Sequence, residues 1–318
     1  MNGPNLSIVI PLLDEQESLR PLHESIAGVL DREGYDAEII FIDDGSRDGS
    51  FRVIRELAEG DPRVRAARFR RNFGKSAGLA VGFRMAKGDV IITMDADLQD
   101  DPEEIPRLLA KLNEGYDLVT GWKEVRHDPI SKTLPSRIFN AVTSFMTGIR
   151  LHDFNCGLKA YRRDAATSVR MKRGMHRFAP ALAHWSGFRV GEIPVRHHPR
   201  RFGKSKFGAK RFVDGFLDLL TVILLTRYVS RPLHFFGWIG TALMAGGLLI
   251  EAYIAYLRLV HGSIMNRYPL LWLGVLMIIV GLQLLSTGLL AELVASSRSE
   301  ENEVSIVETV NYPLTSSS

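Results

Sequence analysis

Along the N-terminal part of the chain, short apolar runs rich in Val and Ile alternate with longer mixed segments. The runs Leu6–Pro11, Glu38–Asp43, Val64–Phe69, Asp89–Asp95 and Asp117–Gly121 are predicted strands. Between them, Glu15–Asp31, Gly49–Glu59, Lys75–Lys87 and Pro102–Glu114 are predicted helices. Asp100 or Asp101 followed by Pro102 and two glutamates marks a helix start, since Pro suits the first turn and carboxylates suit the positive end of the dipole. Strands and helices in alternation predict an α/β fold, with a mostly parallel sheet covered by helices on both faces. Ligands of such sheets bind at the carboxyl ends of the strands. That rule points to Pro11–Glu15, Asp43–Ser46 and Asp95–Gln99, each a polar or acidic cluster directly after a predicted strand.

Two long apolar stretches follow. Phe235–Tyr256 contains one charged residue, Glu251, and Tyr268–Leu290 contains none. As a helix, each is long enough to cross a hydrocarbon core of about 30 Å. Trp238, Tyr253, Tyr256, Tyr268 and Trp272 lie near the ends, where aromatic side chains gather at a bilayer surface. A pair of helices buried in a soluble core would not need such flanks. The short connection Leu257–Arg267 makes the pair an antiparallel hairpin. Gly274, Gly281 and Gly288 recur every seven residues, a small-residue stripe that permits close packing on the first helix or, in a homo-oligomer, on another subunit. Ahead of the hairpin, Lys204–Tyr228 mixes lysines and arginines with Phe207, Phe212 and Phe216, which predicts helices lying in the membrane interface. Four parts result: an α/β domain over 1–203, amphipathic interface helices over 204–232, a transmembrane hairpin over 233–295 and a tail over 296–318 that carries no further signal.

Charge and composition add limits. Of the 318 residues 46% are apolar, and the formal net charge of +4 is too small an excess to suggest nucleic acid as a partner. Where the basic residues sit matters more. The connection between the two spans carries only Arg258 and Arg267 as full positive charges, against the basic segment before the hairpin. This bias puts the α/β domain and the tail on the cytoplasmic face of the inner membrane. The first apolar run, Leu6–Leu13, is short and precedes the first basic residue, Arg20, so it is predicted to be a strand and not a secretion signal. The single cysteine, Cys156, can form neither an internal disulfide nor a thiolate metal cluster and is predicted to be a small core residue.

The acidic clusters carry the candidate chemistry. Asp95 and Asp97, one residue apart at a strand end, cannot both be buried unpaired. A divalent cation would offset their repulsion, and their hard oxygens suit Mg2+ or Mn2+. In Asp43-Asp44-Gly45-Ser46 a carboxylate can accept from ribose hydroxyls or a base edge, although an ordinary Asp-Gly turn has the same composition. Glu15 likewise reads either as a ligand-facing acid or as an acid in the first turn of a helix.

Taken together, the order and spacing of these clusters resemble the family 2 glycosyltransferases of GT-A (Rossmann-like) fold. Pro11-Leu12-Leu13-Asp14-Glu15 resembles their opening element, and Asp43-Asp44-Gly45-Ser46-x-Asp48 their second. Asp95-Ala96-Asp97-Leu98-Gln99 resembles the acidic element of the dolichyl- and polyprenyl-phosphate sugar synthases. The resemblance implies that Pro11, Glu15, Asp43 and Ser46 bind the donor nucleotide, that Asp95 and Asp97 serve the metal and diphosphate, and that Gln99 is a further metal ligand. The stretch Asp153–Arg163 resembles another element of these synthases, with Leu158 and Lys159 in place of Phe and Arg, and marks Asp153 as a candidate for orienting the acceptor. Arg200-Arg201-Phe202-Gly203-Lys204-Ser205-Lys206 resembles a loop that closes over the diphosphate, which assigns Arg200, Ser205 and Lys206 to the donor. Lys123 and Arg137 match positions that contact the acceptor phosphate; a lysine at 123 keeps the charge without the two-pronged geometry of arginine.

The activity so implied is inverting, metal-dependent transfer of a sugar from a UDP- or GDP-sugar to a polyprenyl phosphate at the bilayer surface. A phosphate monoester is already substantially dianionic near neutral pH, so the reaction needs no strong base. Three other readings compete. A processive polysaccharide synthase would carry a Q-x-x-R-W element, which none of Gln16, Gln99 and Gln283 begins. An enzyme acting on a lipid hydroxyl would need a true base, for which Asp153 is the candidate. A non-catalytic membrane scaffold would have no reason to keep its acidic elements.

Overall fold

Strand β1 (Leu6–Leu12) is buried at every position, as is β2 (Ala37–Asp43) beside it. Continuous apolar runs of this kind form central parallel strands, because helices cover both of their faces. The computed structural model describes residues 4–123, 140–145, 147–169, 175–199, 232–264, 266–297 and 306–311. The predicted interface helices, Arg137, Arg200, Ser205 and Lys206 lie outside the described residues. Strands β3 (Val64–Phe69), β4 (Val90–Thr93), β5 (Leu118–Lys123), β6 (Lys159–Arg162), β7 (Val190–Val195) and β8 (Ile306–Val310) complete an eight-stranded sheet in the order β7-β5-β6-β4-β1-β2-β3-β8. The expected mostly parallel sheet is present in β4-β1-β2-β3 and in the β5–β7 pair. Strand β6 runs antiparallel between β4 and β5, and β8 runs antiparallel along β3.

Helices α1 (Leu19–Glu33), α2 (Ser50–Gly60), α3 (Lys75–Met85) and α4 (Ile105–Asn113) fall where the pattern predicts them. Helix α1 starts later than the predicted Glu15, for a local reason. The amides of Asp14, Glu15 and Gln16 donate to Ser46 Oγ, Ser50 Oγ and Asp48 Oδ2, which spends these residues on joining the first two loops. The predicted start at Pro102 is a 3-10 turn leading into α4, capped by Asp101, whose carboxylate accepts from the Glu103 amide at 3.0 Å. Helix α3 packs so closely on β1 that a Cβ on Gly82 would collide with Val9. Two short helices, α5 (Arg163–Ser168) and α6 (Ala179–Trp185), follow β6.

The tail expected to carry no signal needs correction. Its residues 306–310 form β8, paired through Ala66↔Val310, Ala67↔Thr309 and Arg68↔Glu308 and fastened by Asn311 Nδ2 donating to the Val64 carbonyl at 3.0 Å. The strand covers what would otherwise be an open edge at β3. A five-residue strand with a glutamate at its centre, in a Ser- and Glu-rich tail, is too short and polar to stand out in the sequence.

A second compact unit is the hairpin of α7 (Pro232–His261) and α8 (Tyr268–Ser297). Each contains a 26-residue apolar span, about 39 Å long at the helical rise. Trp238, Leu249, Trp272, Leu276, Leu282 and Leu293 point outward and are exposed, the reverse of a soluble core helix. Gly274 and Gly281 of the stripe meet the first helix: a Cβ on Gly281 would lie 2.6 Å from the Gly240 carbonyl oxygen, and one on Gly247 would lie 2.7 Å from that of Gly274. At the turn the Arg267 guanidinium sits 5.3 Å from the Tyr253 ring centroid.

A methyl at Gly281 meets backbone, which cannot give way, whereas one at Gly246 meets only the flexible Met277 Cε. Gly281→Ala is therefore expected to destabilise the hairpin by about 1–3 kcal/mol and Gly246→Ala by clearly less. Unfolding of the purified protein in mixed micelles measures the difference, and equal effects would contradict the packing.

Candidate active site

The loops after β1 and β2 are laced together. Besides the amides of 14 to 16, the Arg47 amide donates to Asp14 Oδ1 at 2.8 Å and the Gly49 amide to Gln16 Oε1 at 2.9 Å. Asp14 takes a left-handed conformation, with φ 50°, to make this exchange. Pro11, Asp43 and Ser46 are buried at the base of the joined loops, and Glu15 is half-buried at their rim. Asp43 Oδ1 accepts from the Ser46 amide at 2.8 Å, while Oδ2 faces Arg68 Nε at 3.3 Å and is buried without a hydrogen bond. Burial pushes the Asp43 carboxyl up, against the opposing pull of Ser46 and Arg68. Beside these loops opens a cavity of about 590 Å3, lined by Asp14, Ser46, Arg47, Arg68, Arg70 and Arg71 among others, and by Glu308 of β8. Its arginines favour an anionic ligand.

Asp44 points the other way and sets up the next element. Its carboxylate accepts from the Phe73 amide at 2.6 Å and from the Gly74 amide at 2.9 Å. Gly74, at φ 95°, turns the chain into α3, and Lys75 is the first residue of that helix. The Lys75 ammonium forms an ion pair with Asp95 Oδ1. One residue on, Ser76 Oγ lies 2.9 Å from His176 Nδ1, which ties the start of α3 to the turn Met175–Phe178. Burial holds His176 well below its ordinary pKa, so its ring is neutral.

The acidic turn follows β4. The Asp95 amide donates to Asp100 Oδ2 at 3.1 Å, and the Gln99 amide to Asp97 Oδ1 at 3.2 Å. Leu98 at φ 61° closes the turn. On its far side His197 Nδ1 donates to the Gln99 carbonyl at 3.1 Å, and Gln99 Nε2 donates to His197 Nε2 at 3.3 Å. The Gln99 amide nitrogen also donates to the His198 carbonyl at 3.4 Å, so the amide oxygen is the atom with which Gln99 would meet a cation.

Three lysines surround the turn. Lys75 comes from α3, Lys123 from the end of β5 with its Nζ 3.7 Å from Asp100 Oδ1, and Lys159 from β6, donating to the Cys156 carbonyl. Burial works against the Asp95 carboxylate, but Lys75 and then Lys123 and Lys159 outweigh it and hold the carboxyl at about 2. Burial also opposes charge on Lys123, and there Asp100, Asp95 and Asp153 prevail and raise its pKa. Lys159, enclosed, is lowered by burial. Asp153 is buried next to this layer, with Oδ1 accepting from the Asn155 amide at 2.9 Å. Trp122 stacks on His152 at 4.1 Å and so joins the end of β5 to the stretch that carries Asp153.

The structure thus brings Asp95, Asp97, Gln99, Lys123 and Asp153 to one end of the sheet, with Pro11, Glu15, Asp43 and Ser46 on the adjoining loops. Sequence reasoning missed Lys75 and His197, and it read Asp44 only as part of the Asp43–Ser46 cluster and Asp100 only as a helix start. A Gly-Lys pair opening a helix after a strand is the signal for Lys75; a single lysine, acid or histidine elsewhere offers none. Among the described residues no group of three or more His, Cys, Asp or Glu side chains is gathered to hold a metal by itself. Two carboxylates and an amide oxygen on one turn do fit a hard divalent cation that takes its other ligands from a bound substrate.

The chain was compared with known proteins. A family model described as glycosyl transferase family 2 matches residues 7–170. The chain is 37% identical over 295 residues to dodecaprenyl-phosphate galacturonate synthase of Rhizobium johnstonii, covering 91% of this chain and 87% of the relative. It is 35% identical over 291 residues to undecaprenyl-phosphate 4-deoxy-4-formamido-L-arabinose transferase of Shewanella sediminis, covering 90% and 86%. Among solved structures, glucosyl-3-phosphoglycerate synthase from Mycobacterium tuberculosis in complex with Mn2+, UDP-glucose and phosphoglyceric acid superposes with a TM-score of 0.53 at 22% identity, over 69% of this chain and 79% of that one. At that identity the likeness is one of fold.

Two outcomes test the geometry of the site. Burial pushes the Cys156 thiol up to about 12, with Lys123 opposing, so near pH 8 almost none of it is thiolate. A maleimide or disulfide reagent is expected to label the folded protein at least about a hundredfold more slowly than the unfolded chain. Rapid labelling of the folded form would place the thiol elsewhere. A Cβ on Gly157 would sit 2.6 Å from Asp95 Cγ, so Gly157→Ala should lower stability by about 1–3 kcal/mol in thermal unfolding.

Proposed function

The chain belongs to glycosyl transferase family 2, and from that premise we propose that it moves one sugar from a nucleotide sugar to a polyprenyl phosphate at a membrane surface. The observation that carries this reading is the acidic turn Asp95–Gln99 ringed by Lys75, Lys123 and Lys159, in a chain that also has two helices long and apolar enough to span a bilayer. Both substrates of such a reaction are phosphates, and one is anchored in lipid. The extended similarity to two enzymes named for polyprenyl-phosphate substrates supports the same choice of acceptor.

In this reading the nucleoside lies against the joined loops that carry Pro11, Glu15, Asp43 and Ser46. Its diphosphate extends towards Lys75 and the acidic turn. Asp95, Asp97 and the Gln99 oxygen would hold Mg2+ or Mn2+, which supplies Lewis-acid neutralisation of the departing diphosphate when bound. Lys123 meets the acceptor phosphate, and Asp153 is a positioning residue beneath it. An acceptor phosphate oxygen attacks the anomeric carbon while the bond from that carbon to the donor diphosphate breaks, which inverts the centre. The phosphate is dianionic beforehand, so no side chain has to remove a proton. Fixed cations around two phosphates do most of the remaining work, because they are in place before charge moves.

The hairpin gives the reaction its location. Two crossings return the chain to the side from which it came, in keeping with β8 rejoining the sheet that precedes the hairpin. The sparse positive charge in the connection, Arg258 and Arg267, supports a cytoplasmic catalytic domain at the inner membrane.

The test is transfer of radiolabelled sugar from a panel of UDP- and GDP-sugars to undecaprenyl phosphate in detergent, with Mn2+ or with EDTA. The expected product is a mild-acid-labile lipid that forms only with metal and falls about a hundredfold or more in Asp97→Ala. Labelling of diacylglycerol or of a polymer in its place would overturn the polyprenyl-phosphate acceptor and leave the glycosyltransferase.

A further inference from the structure

We propose that Lys75 competes with the divalent metal for Asp95 and, once displaced from it, contacts the diphosphate of the donor. This rests on the metal-dependent reading above and adds a residue that the acidic motif does not contain.

The Asp95 carboxylate is fixed. Its amide is tied to Asp100, and the segment just before β6 backs it so closely that Gly157 has no room for a Cβ. The backbone of Lys75 is fixed as well. Asp44 grips the amides of Phe73 and Gly74 just before it, and Ser76 just after it is held by His176. Between these anchors runs only the four-carbon lysine stem. The side chains of Lys75 and Asp95 are 32% and 31% exposed, so the pair lies at the surface of the site and not beneath it. A metal approaching Asp95 therefore meets an ammonium already on Oδ1. A divalent ion attracts the carboxylate more strongly and repels the ammonium, which must leave. Its anchored backbone keeps it within reach of the turn. There the strongest anion is the diphosphate that arrives with the metal, and a lysine on a flexible stem is suited to follow it. The same ammonium limits the cost of a carboxylate at a strand end.

The experiment uses the full chain in detergent and reads binding. Mn2+ alone is titrated and followed by electron paramagnetic resonance. Lys75→Met is expected to bind Mn2+ about tenfold more tightly than wild type, since the competing cation is gone, and Lys75→Arg to stay within about twofold. With Mn2+ saturating, UDP and GDP are titrated calorimetrically, and whichever binds wild type should bind Lys75→Met about tenfold more weakly. Opposite signs for metal and nucleotide are the signature, because general damage to the site would weaken both. Wild-type Mn2+ binding that is abolished in Asp97→Ala yet unchanged or weaker in Lys75→Met would overturn the role of Lys75 and leave the metal site standing. Absence of Mn2+ binding in wild type, both alone and in the presence of UDP or GDP, would overturn both. Should Lys75→Met fail to fold, Lys75→Gln takes its place and must show the same pair of signs.

Discussion

Asp95 stands at the end of a strand that is buried along most of its length, and a carboxylate in that position has to be met by positive charge. The surrounding architecture is arranged to meet it. Three elements each deliver one lysine: α3 brings Lys75, β5 brings Lys123 and β6 brings Lys159. The antiparallel insertion of β6 between β4 and β5 sets Lys159 beside Thr93 and Thr120 in the pairing register, and so carries an ammonium into the sheet itself. Asp100 and Asp153 in turn keep Lys123 charged. The result is a layer of alternating charge whose members justify one another. Lys123 and Lys159 are its more enclosed members, and removing either would leave a neighbouring carboxylate less compensated, whereas the Lys75–Asp95 pair reaches solvent. Such a layer, open on one side, suits a site that has to accept phosphate groups and a cation together.

The hairpin follows a different rule. In the sheet, apolar side chains turn inward; the acidic turn and its lysines lie at the carboxyl end of the strands, and a second buried pair, Glu38 with Arg65, lies near the strand starts. In α7 and α8 the large apolar side chains turn outward, and glycine faces glycine across the contact. Water would penalise that arrangement at roughly 25 cal/mol for each square ångström of apolar surface, whereas lipid does not. An enzyme working on a lipid-linked phosphate has use for both rules in one chain. In the proposed reaction the polar unit would hold the nucleotide, and the apolar unit would confine the search for the acceptor to a surface.

What could be read from the sequence follows from how each element is stabilised. Strands β1, β2 and β4 are mostly apolar runs and β3 and β5 are shorter apolar patches, and their predicted limits agree with the structure to within about two residues, the margin at which element ends are ordinarily defined. The first two loops hid the true start of α1, since Asp14, Glu15 and Gln16 look helical until their amides are seen to serve the neighbouring loop. Strand β6 carries a lysine and an arginine in four residues, β7 a proline and a glutamate, and β8 a glutamate and a threonine, so none shows the apolar run that marks a strand. The site divides in the same way. The acidic turn was legible because two carboxylates directly after a buried strand demand an explanation. The lysines that answer them come from three separate segments, and only the fold brings them together.

Close approach of backbone is the remaining constraint, and glycine meets it in both units. Gly82 lets α3 settle on β1, which sets the height at which Lys75 reaches the acidic turn. Gly157 lets the chain entering β6 pass behind Asp95, while Thr93 Oγ1 donates to the Gly157 carbonyl at 2.8 Å and closes the same contact. Gly240, Gly247, Gly274 and Gly281 let the two long helices touch through their main chains. A glycine inside a helix costs about 0.5–1 kcal/mol against alanine, so four of them across one interface need a compensating gain. In the hairpin that gain is dispersion between closely packed backbones, where no hydrophobic effect drives helices together in lipid. In the sheet it is the position of a charge. The same residue type therefore serves packing in one unit and electrostatics in the other, and the difference lies in what stands opposite the missing side chain: a carbonyl in the hairpin, a carboxylate at the active site.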